Sequence, residues 1–181
     1  IPNRIGIEKR PMAANERREY GHYEGDTVVS GKKYRGSASL SVITERKARY
    51  VRIRKIPNLR PEVNNGAVVK MGRGLFMKTC TLDNGIENKR HAALALILGI
   101  DIYFCDPYAS WQKGGVENVN GIIRRFIPKG ANIADYSDSK IQIIEDYLNH
   151  TPRKCLNYKT PYEVMKENNL FLKKTDSRMC D

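Results

Sequence analysis

The alternation of apolar and polar residues divides the first sixty residues into three predicted strands. The first covers residues 23–29, where apolar positions surround an acidic residue. A basic loop at 31–36 leads into a second strand at 37–44, and a third strand spans 48–55. The third strand alternates apolar with charged residues, which is typical of an edge strand with one face in water. We expect the three strands to form an antiparallel meander.

Beyond the third strand, the apolar period switches between that of helices and that of strands. Pro61 suits the first turn of a helix. The other elements predicted in this way are a strand at 76–82, a helix at 86–98, a strand at 100–105, a helix from residue 113 and a helix around 141–148 with Ser137 or Asp138 as its N-cap. Helices that alternate with strands favour an α/β fold, here a mixed five-stranded sheet flanked by helices.

The chain divides into a core and two less patterned ends. Residues 1–20 are polar and basic without a clear period, which indicates an arm or linker. We place the core at 21–165 and a C-terminal tail at 166–181. The longest apolar segment, 92–100, has about half of the ~18 residues that a membrane span needs, so we expect no membrane partner.

The charge of the chain is strongly positive and unevenly distributed. Its formal net charge is +12, and residues 1–60 contain 15 Lys and Arg against 6 Asp and Glu. Such an excess favours a polyanionic partner, nucleic acid before a membrane surface. A soluble protein that is merely basic is the alternative interpretation.

The four cysteines lack the spacing of a metal site. Cys80, Cys105, Cys155 and Cys180 form no CxxC pair and no Cys/His pair at zinc spacing. We therefore predict reduced thiols in a cytoplasmic protein rather than structural zinc or disulfides.

Three acids stand where the predicted sheet would bring them together. Asp26 lies within the first strand, Asp83 ends the fourth, and Glu117 opens the helix after the fifth. If the first and fourth strands are neighbours, as a crossover connection permits, the two aspartates lie side by side. Clustered carboxylates repel one another unless divalent cations lie between them. The pattern therefore suggests a pair of Mg²⁺ ions about 3.5–4 Å apart, which activate a nucleophile in phosphoryl transfer.

Each acid taken alone has a simpler interpretation. Asp83 could cap a turn, and Glu117 could complement the dipole of its helix. Asp26 is harder to explain in this way, because a buried acid without a partner is costly. The combination of the three favours a catalytic site.

Four segments around these acids resemble a known family. They are GHYEGDTVVSG (21–31), TLDNGIENKRHAAL (81–94), DPYASWQKGGVENVNGIIRRFIPKG (106–130) and LNYKTPYEV (156–164). In this order they closely resemble the catalytic core of the IS-thirty family of bacterial insertion-sequence transposases, within the retroviral-integrase-like group. The resemblance covers roughly residues 4–165, and Glu117 follows Asp83 by 34 positions, the close spacing of this group.

The resemblance implies a fold, a cofactor and partners. The fold is ribonuclease-H-like, and Asp26, Asp83 and Glu117 are the catalytic residues and metal ligands for Mg²⁺ or Mn²⁺, two ions per active site. The substrate is DNA, both transposon ends and target. We expect a homo-oligomer when the protein is assembled on DNA, an isolated core that is a monomer or dimer, and a place at the bacterial nucleoid.

The expected reaction is DNA cleavage followed by strand transfer. Water cleaves one strand at a transposon end, and the freed 3′-hydroxyl attacks a phosphodiester of target DNA. Two alternatives stay open: a ribonuclease-H-like nuclease that only hydrolyses, and a non-catalytic DNA-binding remnant of a mobile element.

Basic residues near Glu117 are candidates for DNA contacts. Arg124 and Arg125 follow Glu117 by seven and eight residues and share its approximate helix face. With Lys113 and Lys129, they could bind backbone phosphates, although a solvated basic face is the alternative.

Three further residues are secondary candidates. Trp111 lies in a glycine-containing loop that suits a mobile flap over DNA, or it anchors that loop on the core. His91 either approaches the active site or packs in the core. Asn118 belongs to the family segment and could support the acids, and we assign it no chemistry of its own.

Overall fold

A six-stranded mixed sheet forms the centre of the computed structural model, which describes residues 1–107 and 109–172, with only the backbone for Ser110. The strands are β1 (Ile5–Gly6), β2 (His22–Val29), β3 (Ser39–Glu45), β4 (Val51–Ile56), β5 (Thr79–Leu82) and β6 (Asp101–Phe104). Their order in the sheet is β1-β6-β5-β2-β3-β4. Strands β2, β3 and β4 form the predicted antiparallel meander, and β4 is an edge strand. The mixed α/β sheet is confirmed, with six strands instead of five.

The sixth strand comes from the segment predicted to be an arm. Ile5 and Gly6 pair in parallel with Tyr103 and Phe104 of β6. The guanidinium of Arg10, which is buried, donates a hydrogen bond to the hydroxyl of Thr81 over 3.0 Å. Two residues are too few to show a period, so this strand depends on its partner rather than on its own pattern. The boundary at residue 20 stays a prediction, as does the tail at 166–181, of which residues 173–181 lie outside the described part of the chain.

Helices cover both faces of the sheet. A single turn, α1 (Met12–Asn15), precedes α2 (Pro61–Gly72), α3 (His91–Leu98), α4 (Gly114–Phe126), α5 (Asp138–His150) and α6 (Pro161–Glu167). The helix predicted from residue 86 begins later, because a 3₁₀ turn occupies Ile86–Asn88. Ser137 is the N-cap of α5, as one of the two predicted choices, and its hydroxyl accepts a hydrogen bond from the N–H of Lys140. The pattern did not predict α6, which begins with a capping box at Thr160.

The sheet separates two hydrophobic cores. Tyr23 of β2 joins the core beneath α2, α3 and α6, whereas Val28 of the same strand joins the core beneath α4 and α5. Successive side chains of a strand point to opposite faces, so Glu24 and Asp26 share the α4 face with Val28. This alternation directs Asp26 toward the helix that carries Glu117.

Two further expectations concern thiols and membranes. Cys80, Cys105 and Cys155 form no disulfide in the described part of the chain, and Cys180 lies outside it. In the described part of the chain, no helix has the length and apolar character that crossing a membrane requires.

Candidate active site

The two predicted aspartates lie on neighbouring strands. Strand β2 pairs in parallel with β5, with Glu24 opposite Thr81, and Asp83 directly follows β5. The strand adjacency on which the prediction depended is therefore confirmed. Asp26 is partly buried within β2, and Asp83 is partly exposed at the end of β5.

A buried lysine bridges the two carboxylates. The ammonium group of Lys113 lies 3.1 Å from Asp26 Oδ1 and 3.1 Å from Asp83 Oδ2. It also donates a hydrogen bond to the carbonyl oxygen of Gly25 over 3.1 Å. One cation is thus held between the two acids, which is the place that their charges favour for any cation.

This arrangement shifts the pKa values of the three groups. Burial raises the pKa of Asp26 above its ordinary value, and the positive charge of Lys113 only partly opposes that shift. Burial also acts to raise the pKa of Asp83, but the charge of Lys113 and the N–H of Gly85 outweigh it and hold that pKa below its ordinary value. Burial acts to lower the pKa of Lys113, whereas the two carboxylates outweigh it and raise that pKa. Lys113 is therefore a charged ammonium group at neutral pH.

Side-chain amides orient each carboxylate. Asn120 of α4 donates to Asp26 Oδ2 over 2.7 Å, and Asn88 donates to Asp83 Oδ1 over 2.9 Å. The N–H of Gly85 also donates to Asp83 Oδ1 over 3.0 Å, so Asp83 caps the turn that its Asp-Asn-Gly motif indicates. The turn and the proximity to Asp26 coexist. They are not alternatives.

Glu117 opens onto the same cavity. It is exposed in the first turn of α4 and, with Asp26, Asp83 and Lys113, lines a cavity of about 470 Å³. Among the described residues, no three His, Cys, Asp or Glu side chains are close enough to hold one metal ion together. Convergence of all three acids therefore stays a prediction.

The residues present fit a divalent cation. Carboxylate oxygens are the ligands that Mg²⁺ and Mn²⁺ prefer. Asp26 and Asp83 already share one positive charge, and the open cavity beside them gives access from solvent. The ammonium group of Lys113 acts as a stand-in ion, and a metal ion at that position would displace it.

A buried ion pair fixes the start of α4. Glu24 is fully buried beside Arg46, whose guanidinium donates to Glu24 Oε1. The other oxygen of Glu24 accepts a hydrogen bond from the N–H of Val116 over 2.9 Å. A Cβ atom on Gly115 would lie 2.7 Å from this oxygen, so the contact requires glycine. The helix that carries Glu117 is thereby attached to the strand that carries Asp26.

The residues predicted to bind DNA have different environments. Arg125 and Lys129 are exposed. Arg124 is partly buried, and its guanidinium donates to the carbonyl oxygen of Val29 over 2.7 Å, which joins α4 to the end of β2. Lys113 is occupied by the two aspartates. Phosphate contacts by these four residues stay a prediction.

The three secondary candidates also lie in different environments. His91 is buried, and its ring meets the edge of Phe104 with centroids 4.9 Å apart, which favours the packing interpretation. Trp111 is 74% exposed, so it does not anchor its loop on the core. Asn118 is exposed on α4.

Glu24 and Asn120 are site residues that the sequence did not reveal. Glu24 stands two residues before Asp26, so both acids must share one face of the strand, and this spacing was the available signal. Asn120 lies four residues after Val116 and three before Ile123, so the helical period places it on the apolar side of α4. Its amide instead reaches Asp26 at the boundary between core and cavity.

Comparison with known proteins finds insertion-sequence transposases among the relatives of this chain. The chain is 36% identical over 168 residues to the transposase for insertion sequence element IS1086 of Cupriavidus metallidurans, and 37% identical over 171 residues to that for IS4351 of Bacteroides fragilis. These alignments cover 91% and 92% of this chain but 49% and 51% of the relatives. The chain thus spans about half the length of the curated relatives it matches. No protein-family model matches it.

Two solved structures that share the fold come from retroviral proteins. The catalytic core domain of BIV integrase superposes with a TM-score of 0.62 at 18% identity, over 82% of this chain and 95% of that one. A chain of the simian T-cell lymphotropic virus intasome, solved in complex with PP2A regulatory subunit B56 gamma, gives a TM-score of 0.64 at 19% identity, over 78% of this chain and 52% of that one. At these identities the likeness concerns the fold, which is that of integrase catalytic cores and hence ribonuclease-H-like.

The InsI transposase for insertion sequence element IS30C of Escherichia coli K12 is 35% identical over 168 residues, 91% of this chain and 43% of that protein. This relative comes from the IS-thirty group, which the four sequence segments around the acids resemble. Over about nine-tenths of its length the chain is therefore similar to insertion-sequence transposases of the IS-thirty kind, and it spans about half of their length.

Proposed function

We propose that this chain is the catalytic core of a DNA transposase, which cleaves DNA strands and joins them to target DNA. The observation that carries the proposal is the cation position between Asp26 and Asp83, in a cavity that Glu117 also lines. The relatives are named transposases, and the fold is that of integrase cores. An acidic cavity on a chain of net charge +12 suits a site that handles phosphodiesters through a cation.

Asp26, Asp83 and Glu117 would hold the metal. When bound, Mg²⁺ or Mn²⁺, two ions per site, would supply activation of the attacking hydroxyl and charge neutralisation at the phosphate. Asn120 and Asn88 keep the two aspartates oriented through the hydrogen bonds described above. Glu24 holds the first turn of α4, so that Glu117 faces the cavity.

Basic residues outside the cavity would bind the substrate. The exposed Arg125 and Lys129 offer charge for backbone phosphates, so DNA binding should weaken steeply with salt. Because a transposon has two ends, we also propose a homo-oligomer on DNA, with the isolated core a monomer or dimer. With DNA as partner, the protein would act at the bacterial nucleoid in the cytoplasm.

A strand-transfer assay tests the proposal. The protein is incubated with Mn²⁺, a pre-cleaved labelled transposon end and supercoiled target plasmid. We expect joined products from wild type and a loss of at least about a hundredfold for Asp26→Asn, Asp83→Asn and Glu117→Gln, since each removes a charge on which metal binding depends. Asp135→Asn is the matched control, because Asp135 is an exposed acid that does not line the cavity.

The same assay separates the alternatives. Cleavage without joining would identify a nuclease that only hydrolyses. DNA binding without either reaction would identify a non-catalytic remnant. Full activity of Asp83→Asn would place the catalytic centre elsewhere.

A further inference from the structure

A second cavity, here called the basic cavity, lies at the other end of strand β2. Its volume is about 450 Å³, and it is formed by the segment before β2, the turn between β3 and β4, and the segment between α5 and α6. Its charged lining residues are Arg17, Lys47, Arg49, Lys159 and Glu167. Four of these five carry positive charge, so the cavity is suited to an anion.

The acid that lines this cavity already has an ion-pair partner. Glu167 forms an ion pair with Lys159 over 2.5 Å. Within the described residues, the guanidinium groups of Arg17 and Arg49 form no ion pair. Burial and the charges of Arg49 and Arg46 lower the pKa of the Arg17 guanidinium. Among the described residues, the two arginines thus lie near one another's charge without an ion-pair partner of their own.

The backbone at these arginines is strained. Arg17 has a φ of 55° and Arg49 a φ of 62°, a left-handed conformation that is unfavourable for residues with a long side chain. Of the six non-glycine residues with positive φ in the described part of the chain, Asn157 is a third that lines the basic cavity. Glycine or asparagine would adopt a positive φ at a lower conformational energy than arginine. Residues that keep such an unfavourable conformation are common at binding sites.

We propose that the basic cavity binds a backbone phosphate of DNA, through Arg17 and Arg49, as a second contact remote from the acids. The inference rests on the proposed function for the identity of the partner. The planar guanidinium fork binds phosphate oxygens in pairs, and the bound anion supplies the missing counter-charge. The cavity lies at the N-terminal end of β2, whereas Asp26 lies within this strand and Asp83 directly follows the parallel strand β5, so the phosphate contact would be separate from the acids.

The test is DNA binding by the double variant Arg17→Asn/Arg49→Asn. Asparagine tolerates positive φ, so the variant removes both charges and keeps the turns. The probe is a fluorescein-labelled duplex of random sequence, and anisotropy is measured at several salt concentrations without divalent metal. The control, Lys70→Gln/Arg73→Gln, removes the same charge from exposed positions at the end of α2.

We expect the cavity variant to bind on the order of tenfold more weakly at about 0.1 M salt, with a slope of log K against log salt that is smaller by about 2. The control should keep the wild-type slope. The Tm of the cavity variant should equal or exceed that of wild type, because the strain is relieved, and this separates lost binding from lost folding.

Two results would overturn the proposal. Equal losses of DNA affinity in the cavity variant and the control would mean that binding depends only on net charge. An unchanged slope of log K against log salt in the cavity variant would mean that the cavity contacts no phosphate. The proposed catalytic function stands in both cases. If wild type binds no duplex, the partner itself is wrong, and both proposals fail.

Discussion

The buried carboxylate of Glu24 accepts a hydrogen bond from the backbone N–H of Val116 over 2.9 Å. This contact joins the strand that carries Asp26 to the helix that carries Glu117, and each acid lies within two residues of it. An N–H at the start of a helix has no partner within the helix, so a carboxylate there satisfies it and complements the helix dipole. The relative position of the two acids therefore depends on Glu24.

The substitution Glu24→Gln should destabilise the protein strongly. It keeps the shape of the side chain but leaves Arg46 buried without its counter-charge, which costs about 3–5 kcal/mol. Urea denaturation measures this loss. The control is Glu62→Gln, because Glu62 forms an exposed ion pair with Arg90, for which we expect a loss of at most about 1 kcal/mol. Similar losses of unfolding free energy in the two variants would show that the buried Glu24–Arg46 pair contributes no more to stability than an exposed pair.

The substitution Lys113→Met should make stability depend on added metal. Without the ammonium group, Asp26 and Asp83 face one another unneutralised, and we expect a loss of about 1–3 kcal/mol in the absence of divalent ions. Mg²⁺ should then raise the Tm of the variant more than that of wild type, because no lysine has to be displaced. Thermal unfolding with EDTA and with Mg²⁺ measures both effects.

Lys129→Gln, which removes an exposed charge near the end of the same helix, is the control and should respond to Mg²⁺ as wild type does. If Lys113→Met gains no more from Mg²⁺ than Lys129→Gln, Lys113 does not compete with the metal.

His22 should make the protein less stable in mild acid. Its ring is buried and contacts the hydroxyl of Thr79 over 2.9 Å, and burial lowers its pKa below the ordinary value. The folded state therefore binds the proton less readily than the unfolded state. The stability that the neutral ring contributes is complete above the unfolded pKa of about 6.5 and is lost as pH falls through the lower folded pKa.

Urea denaturation at about pH 7.5 and about pH 5.5 measures this effect. His22→Gln should lose less stability between these pH values than wild type. The exposed His150 provides the control, and His150→Gln should keep the wild-type difference. A wild-type pH dependence in His22→Gln would assign the loss to other groups.

Strong periodicity made most of the fold predictable. Strands β2 to β6 and helices α2 to α5 follow from apolar patterns several residues long, and the elements found lie within a few residues of those predicted. Strand β1 could not be predicted in this way, because its two residues are ordered by β6 and not by their own sequence. The start of α3 was misplaced because Ile86–Asn88 forms a 3₁₀ turn, a local choice that periodicity does not distinguish.

The part of the site that could be predicted consists of residues whose local sequence indicates a role. Asp26 stood out because an acid in an apolar strand needs a partner, and its proximity to Asp83 followed from topology. The position of Lys113 was not predictable, since a lysine is ordinarily exposed and is buried here only because two carboxylates meet it. Glu24 is likewise buried only because of a partner distant in the sequence, Arg46, which lies 22 residues away.

The substitution Gly115→Ala should destabilise the start of α4, whereas Gly121→Ala in the same helix should stabilise it. A Cβ atom on Gly115 would lie 2.7 Å from Glu24 Oε2, so the helix or the carboxylate must shift, and the hydrogen bond to Val116 would be lost. A Cβ atom on Gly121 meets nothing within 4 Å. Alanine there gains the helix propensity that glycine lacks, about 0.5–1 kcal/mol. Urea denaturation of both variants measures the difference in sign, and equal stabilisation of the two would show that Gly115 is not required by the approach of Glu24.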